Sequence, residues 1–151
     1  MVCGCTKMPS ADPSTFRMTI KNEPPTLDGS LATDSVSFTI LTNLMEGLTQ
    51  YDAELNPIPA IAKRWEYSNE GRTITFYLRD DVFWSDGKNV TASDFEYSWK
   101  RLLAPETAAQ YAYFLFDIKN AFEYNSGTLE NSSQVGVRAL APDILEVTLK
   151  K

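Results

Sequence analysis

Histidine is absent from the 151 residues, and cysteine occurs only twice. Without histidine, the chain cannot build a Ser–His or Cys–His nucleophile pair. A glycine-rich phosphate loop is also lacking, because Gly71 and Gly87 stand alone in predicted turns. The acidic pair Asp80–Asp81 could act as general acid and base, but near a turn a solvated pair is the more common arrangement. We therefore expect no enzyme, no cofactor and no metal site.

Long apolar runs and clusters of positive charge are lacking too. No window reaches the length of apolar residues needed to span a membrane. Runs of Lys or Arg never exceed two residues, and the net charge is −6 with a pI near 4.6, which argues against nucleic acid as a partner. Hydrophobic residues make up 43% of the chain, with three Trp, seven Tyr and eight Phe. That is enough for one domain with a real core.

Both cysteines, Cys3 and Cys5, lie in the first seven residues. A Cys-x-Cys pair can bind metal, but the chain offers no second pair of ligands. A disulfide across one intervening residue would be strained. From the residues alone we favour a chemically idle tail, within a flexible leader over residues 1–14 that carries proline and serine.

The clearest local pattern lies in the middle of the chain. Residues 73–78 alternate between apolar and polar side chains, which predicts a strand with one buried face. Turns are predicted on either side, at 69–71 and 85–87, where glycine tolerates a positive φ. Thr91 and Asp94 form a capping-box pattern, with Asp in place of the usual Glu or Gln. The helix that follows has an apolar stripe of Phe95, Trp99 and Leu102. We assign these aromatic residues to the core: Phe83, Trp84, Phe95, Tyr97 and Trp99.

Towards the N-terminus, residues 15–21 alternate and predict a half-buried strand. Asp34 can cap a helix that runs to about Glu46, and Gly47 suits its end. We expect the wide apolar face of this helix to be plain core. Its members are Val36, Ile40, Leu41, Leu44, Met45 and Leu48.

The next segment predicts a short strand over 48–51 and a rigid, proline-bearing loop over 56–59. A helical turn over 59–64 should lead into a strand over 65–67.

Beyond the middle helix, Pro105 interrupts the chain. A third helix is predicted over 107–124, and strands over 134–140 and 144–149 flank a turn at 141–143. The pattern as a whole indicates an α/β or α+β fold.

Several of these segments together resemble a known family. Residues 84–87 (Trp-Ser-Asp-Gly), 90–92 (Val-Thr-Ala), 94–95 (Asp-Phe) and 97–101 (Tyr-Ser-Trp-Lys-Arg) occur in the order and spacing of the extracellular solute-binding proteins of family 5. These are the peptide-, dipeptide- and nickel-binding receptors of ABC importers, and the chain is most similar to the oligopeptide-binding type. The resemblance runs from about Phe16 to Lys151 and includes Pro25–Asp28, Met45–Leu48, Pro59–Glu66 and Tyr111–Tyr113.

The resemblance implies part of a two-lobed fold of the periplasmic-binding-protein type II kind, in proteins several times longer than this chain. It assigns residues 15–46 to a strand and helix of the first lobe, 47–133 to an inserted α+β domain, and 134–151 to strands that return to the first lobe. We expect the strands at 16–20 and 144–149 to lack most of their sheet, and the isolated chain to be marginally stable.

Such a receptor captures oligopeptides for an ABC transporter by closing its lobes and performs no catalysis. It must grip what all peptides share, their backbone and charged termini. The resemblance places Tyr111 where the oligopeptide-binding type has a ligand-contacting tyrosine; from the pattern alone, Tyr111 is equally the first member of an apolar helix stripe. Thr33 stands where that type carries a Glu, so it supplies no charge. Ser30 and Asp34 would line the cleft with it, unless this segment is only a solvated loop and helix cap.

The resemblance leaves a nickel chelate, haem or another small solute as alternative ligands, and a peptide-sensing surface lipoprotein as an alternative role. It also favours Cys5 as a lipid anchor, because Val2–Cys5 is similar to the end of a bacterial lipobox, although the preceding apolar stretch is missing. The implied protein is a monomer, periplasmic or at the cell surface and lipid-anchored to the membrane. Its implied partners are a peptide and an ABC permease, without nucleic acid.

Overall fold

A four-stranded antiparallel sheet forms the centre of the fold. The structure is a computed structural model that describes Thr15 and residues 17–150. Within that range the strands are β1 (Thr49–Tyr51), β2 (Pro57–Pro59), β3 (Ala62–Ser68), β4 (Thr73–Leu78), β5 (Val137–Ala141) and β6 (Ile144–Thr148). The helices are α1 (Ser35–Leu44), α2 (Ala92–Leu103) and α3 (Ala121–Asn125), with short 3₁₀ turns at Pro105–Thr107, Ala112–Leu115 and Ser132–Gln134.

The sheet has the strand order β3-β4-β6-β5. The turn between β3 and β4 has positive φ at Asn69 (50°), Glu70 (57°) and Gly71 (84°), so the predicted turn and the predicted strand over 73–78 are confirmed. In the next pair along the sheet, Phe76 of β4 lies opposite Leu145 of β6.

Strands β5 and β6 form the predicted hairpin, but β6 is a central strand, bonded to β4 on one side and β5 on the other. The expectation that strand 144–149 would lack its sheet is therefore wrong. Residues 137–148 share one sheet with residues 62–78, because the hairpin pairs directly with β4. The domain division at 133/134 stays a prediction, and it cuts across this sheet.

Helix α2 packs on the sheet, as its apolar stripe predicts. The Thr91 amide donates to Asp94 Oδ2 at 2.7 Å, which confirms the capping box. At the other end Leu103 is completely buried, among core residues that include Leu78 and Leu145. Burial of one such leucine contributes about 1.5–3 kcal/mol relative to an exposed one.

A half-buried carboxylate also holds α2 to β5. Glu96 accepts the Ala139 amide at 2.7 Å and pairs with Lys100 one turn later. Although burial raises the pKa of Glu96, the hydrogen bonds from Ala139 and Lys100 outweigh it and leave this pKa below its ordinary value.

Helix α1 begins where the sequence predicts, after Asp34. The Asp34 Oδ1 atom accepts hydrogen bonds from the Val36 and Ser37 amides, each at 2.9 Å. The helix ends at Leu44, two residues before the predicted end, and Met45 follows with extended backbone. The sequence suggests Gly47 as a left-handed glycine at the C-terminal end of α1, but Gly47 does not have a positive φ.

The apolar face of α1 is only partly covered, so the prediction that it forms core is wrong for part of its length, and Val36 and Ile40 are half-buried. Only Leu41 is buried within the helix on that face, with Leu48 just beyond it, whereas Leu44 and Met45 are 67% and 57% exposed. The physical reason is that α1 lies away from the sheet and makes no extensive contact with another helix or strand in the described range.

One further expectation fails near the N-terminus, where the sequence predicts a strand over 15–21. Thr15 and residues 17–21 form no strand, since none of the described strands lies beside them to complete the hydrogen bonds that the alternation requires. Phe16 lies outside the described residues.

Residues 57–59 form β2, which pairs with β1 in a two-stranded ribbon where the sequence indicates a loop. Strand β3 begins at Ala62, within the predicted helical turn. The Ile61 and Ala62 amides donate to the Gly47 and Leu48 carbonyls, at 3.0 and 2.9 Å, and these bonds draw the segment out alongside β1.

The single helix predicted over 107–124 is wrong. Ala108 and Asn120 have left-handed backbone, with φ of 50° and 60°, which an α-helix cannot contain. The segment is broken into 3₁₀ turns and the short α3. Helix α3 ends at Asn125, one residue beyond the predicted end at 124, and Gly127 follows with φ 76°.

Candidate functional site

Tyr111 and Thr33, two of the residues predicted to contact ligand, lie side by side. Tyr111 directly precedes the 3₁₀ turn 112–115, and its hydroxyl donates to the Thr33 carbonyl at 3.4 Å. The bond is long and therefore weak. Thr33 itself is exposed, and Tyr111 is half-buried. A weakly held hydroxyl at the surface can exchange its partner for a ligand group.

Tyr111 belongs to a group of aromatic side chains that we call the aromatic cluster: Phe38, Tyr111, Tyr113 and Phe114. Phe38 stacks on Tyr111 with ring centroids 5.9 Å apart and planes at 29°. Tyr113 and Phe114 lie 4.5 Å apart and contact Tyr111 at 6.0 and 5.6 Å. Phe114 is 70% exposed and Tyr113 53% exposed. The cluster is therefore internally packed and open on its outer side.

The loop over residues 26–33 that carries Thr33 is anchored to α2. Arg101 donates two parallel hydrogen bonds to the Asp28 carboxylate, at 2.8 and 2.5 Å, and a third to Ser30 Oγ at 2.9 Å. The Ser30 amide also donates to Asp28, at 3.0 Å. A bidentate pair fixes orientation as well as distance. The hydrogen bond from Arg101 lowers the pKa of Asp28, and burial opposes it; the same bond raises the pKa of Arg101.

Asp34, the fourth predicted ligand residue, has its carboxylate engaged within α1. Besides capping two amides, it accepts the Ser37 hydroxyl at 2.6 Å. This hydroxyl and the backbone amides hold the pKa of Asp34 below its ordinary value. Ser30 and Asp34 thus have internal partners, whereas Thr33 and Tyr111 present groups to the surface. Ligand contact remains a prediction for all four.

The chain can now be placed among known proteins. A family model described as "Bacterial extracellular solute-binding proteins, family 5 Middle" matches residues 56–151. The chain belongs to this family. The predicted mixture of helix and sheet is confirmed, as part of the fold of type II periplasmic binding proteins.

Family 5 relatives match nearly the whole chain. The oligopeptide-binding protein OppA of Bacillus subtilis is 42% identical over 143 residues, covering 95% of this chain and 26% of that protein. The probable deoxycholate-binding periplasmic protein YgiS of Escherichia coli is 37% identical over 145 residues, covering 95% and 27%. The substrate-binding domain of an oligopeptide ABC transporter from Bacillus anthracis superposes with a TM-score of 0.84 at 46% identity, covering 89% of this chain and 26% of that one. The chain thus spans about a quarter of the length of these family 5 relatives.

Sequence reasoning missed Phe38, Phe114 and Arg101 as parts of the site. Phe38 lies off the apolar stripe assigned to α1, and Arg101 stands out in the sequence only as part of the family motif. The available signal for Phe114 was the density of aromatic residues over 111–116 (Tyr-Ala-Tyr-Phe-Leu-Phe), which the predicted long helix obscured.

An apolar concavity lies between the end of α1 and α2. This groove, of about 370 Å³, is lined in part by Leu44, Trp84, Phe95 and Trp99. Phe95 and Trp99 pack against the core as predicted. The prediction that all five aromatic residues lie in the core is wrong for the other three. Phe83, Trp84 and Tyr97 are 56%, 46% and 70% exposed.

The described residues contain neither a membrane-spanning helix nor a metal-binding cluster. No helix there is both long and apolar enough to cross a membrane. No group of three or more acidic, histidine or cysteine side chains in the same range could hold a metal ion. Cys5, the predicted lipidation site, lies outside the described residues.

Proposed function

We propose that this chain is part of an extracytoplasmic receptor that captures oligopeptides for an ABC importer. The observation that carries the proposal is the pairing of Tyr111 with the anchored loop at Thr33, inside an aromatic cluster open to solvent. Membership of family 5 and the 42% identity to an oligopeptide-binding protein support it.

The contacts suggest how the chain contributes to binding. The Tyr111 ring packs on the peptide, while its hydroxyl leaves the Thr33 carbonyl and bonds to a peptide backbone group. The freed carbonyl accepts a peptide amide. Because Arg101 holds Asp28 and Ser30, the loop needs little ordering when ligand arrives, which lowers the entropic cost of binding. These groups hold a peptide without attacking it, so we propose binding without catalysis.

Calorimetry on the protein expressed from its complete reading frame tests the proposal. Native mass spectrometry first identifies the ligand that co-purifies, and we expect short peptides. Tyr111→Ala should then weaken peptide binding about tenfold, as loss of a central aromatic contact does, and Tyr111→Phe should weaken it less. Tyr51→Ala is the matched control, since Tyr51 is an exposed tyrosine on β1 outside the aromatic cluster. A co-purified nickel chelate or haem, or cleavage of the added peptides, would contradict the proposal.

An apolar small solute is the second candidate ligand. The relative YgiS is named as a probable deoxycholate-binding protein, and an open aromatic surface suits a steroid as well as a peptide. The same mass spectrum separates the two, because a bile-acid-like solute and a peptide differ in mass and fragmentation.

We also propose that the receptor is a monomer and delivers its ligand to an ABC permease. A lipid attached to Cys5 would hold it at the membrane. Neighbouring reading frames for a permease and an ATPase would support transport over peptide sensing alone. Mass spectrometry of the mature N-terminus, with Cys5→Ser as control, tests the anchor.

A further inference from the structure

A polar groove lies where strands β5 and β6 meet the segment around Lys119. It has a volume of about 470 Å³, and Lys119, Ser133, Arg138, Glu146 and Thr148 form part of its lining. In both strands these residues alternate with buried ones, so their side chains project from the face of the sheet opposite the core. None of the lining residues belongs to the aromatic cluster or to the loop over 26–33.

The polar groove is rich in hydrogen-bond donors that the described part of the chain leaves without partners. Lys119 and Arg138 make no ion pair there, whereas most other lysines and arginines of that range pair with a carboxylate. The side chains of Ser133, Gln134 and Thr148 likewise make no hydrogen bond within the described residues, although the backbone of Ser133 and Gln134 does. Two unpaired cations thus share one groove on a chain with a net charge of −6.

One carboxylate opposes the two cations. Glu146 lines the polar groove and lies opposite Arg138 in the register of β5 and β6. The two side chains nevertheless form no ion pair among the described residues. The Arg138 guanidinium therefore keeps its N–H donors for another acceptor, and the charge of the groove remains positive.

Gly136 leaves the floor of the polar groove open between two of its walls. A Cβ atom at this position would lie 3.0 Å from Lys119 Cβ and 3.2 Å from Thr148 Cβ. Backbone hydrogen bonds join residues 119, 136 and 148, so these walls are already held in place before any ligand arrives. Such preorganisation lowers the entropic cost of binding.

The chemistry of these donors selects the class of ligand. An ammonium, a guanidinium and hydroxyl groups are the side-chain groups that bind phosphate. A phosphate group offers three strong acceptor oxygens, whereas a carboxylate offers two. Several donors around one groove therefore suit phosphate better than carboxylate.

We propose that the polar groove binds the phosphate group of a small solute or of a lipid headgroup, at a site separate from peptide capture. Lys119 and Arg138 pair with the phosphate oxygens, and the Ser133 and Thr148 hydroxyls donate further hydrogen bonds. Glu146 repels the anion and limits its affinity. Because the ion pairs lie at the surface, we expect a Kd on the order of millimolar. This inference goes beyond the proposed function and does not depend on it.

Ligand-observed ³¹P NMR tests the site in the protein expressed from its complete reading frame, with Cys5→Ser to exclude lipidation. Inorganic phosphate and glycerol phosphate are titrated at constant ionic strength, and broadening of the ³¹P signal reports the bound fraction. Lys119→Gln and Arg138→Gln should each weaken binding about two- to fivefold, the range for one partly exposed ion pair. Glu146→Gln should strengthen binding by a similar factor, because it removes the repulsion.

Lys63→Gln is the matched control. Lys63 is exposed on β3, outside the polar groove, and has no ion-pair partner in the described range either. Its replacement lowers the net charge by the same amount as Lys119→Gln, but should leave phosphate binding unchanged. Melting curves check that each variant is folded.

Vesicles separate the two sources of phosphate. Cosedimentation with phosphatidylglycerol vesicles but not with phosphatidylcholine vesicles, reduced by Arg138→Gln, identifies a lipid headgroup. Broadening of the ³¹P signal without cosedimentation identifies a soluble phosphate ester. The inference is overturned if neither phosphate nor vesicles bind, if Lys63→Gln weakens binding as much as Arg138→Gln, or if Glu146→Gln weakens it. Peptide calorimetry is unaffected by any of these outcomes, so the proposed function stands or fails separately.

Discussion

Gly136 lies where three segments of the chain meet, and replacing it by alanine tests how tightly they fit. Its amide donates to the Lys119 carbonyl at 2.9 Å, and its carbonyl accepts from the Thr148 amide at 2.7 Å. The Lys119 amide donates to the Thr148 carbonyl at 2.9 Å. Residues 119, 136 and 148 are thus joined pairwise by three backbone hydrogen bonds. A Cβ atom at position 136 would overlap the Thr148 carbonyl oxygen and lie 3.0 Å from Lys119 Cβ.

The nearest atom is a backbone carbonyl oxygen of Thr148. Backbone cannot move away from an added Cβ atom as the end of a long side chain can. Gly136→Ala should therefore destabilise the chain by about 1–3 kcal/mol, the usual cost of overpacking. For a chain of this length, that lowers the Tm by roughly 3–10 °C. Thermal unfolding followed by circular dichroism measures the shift.

Gly29→Ala is the matched control. A Cβ added there meets no atom within 4 Å, and its φ is not in the left-handed region, so the Tm should stay within about 1 °C of the parent. Equal Tm values for the two variants would refute the close approach of residues 119, 136 and 148.

Two further predictions concern Asp28 of the anchored loop and Asp34, the N-cap of α1 and one of the predicted ligand residues. Because the pKa of Asp28 is lowered in the folded chain, its pairing with Arg101 stabilises the fold above the unfolded pKa, near 3.9, and is lost as the pH falls through the folded value. Asp28→Asn should thus lower the Tm most at pH 5–7, with the difference shrinking below about pH 4; a pH-independent difference in melting curves would contradict this. Asp34→Asn should leave both the peptide affinity and the rate of amide exchange in α1 unchanged, because asparagine caps a helix as well as aspartate does, whereas Asp34→Ala should speed that exchange. A loss of affinity in Asp34→Asn would instead give its charge a direct role with the ligand.

The sequence predicts those elements whose buried side chains recur with the period of a helix or a strand. Strand β4, helix α2 and the hairpin β5–β6 were all predicted, because each buries one face against the same sheet. Capping and turn chemistry located the ends at Asp34, Thr91 and Gly71 correctly, since these depend on neighbours within a few residues.

Non-local interactions determine the parts of the fold and of the site that the sequence does not predict. The apolar spacing over 107–124 suits a helix, but left-handed backbone at Ala108 and Asn120 lets Ile118 form a bridge with Leu149. Likewise, the family resemblance named Tyr111 and Thr33, but only the fold shows that they touch. The partners of Asp28 and Phe38 lie 73 residues away in each case, at Arg101 and Tyr111, beyond the reach of any periodicity.

The β1–β2 ribbon has a consequence for how the molecule behaves in a crowded solution. A short strand at the margin of a fold invites the backbone of another molecule to align with it. Two of the three residues of β2 are prolines, Pro57 and Pro59, so only Ile58 has an amide hydrogen to give. The free edge of β2 is therefore a poor template for the addition of a strand from another molecule.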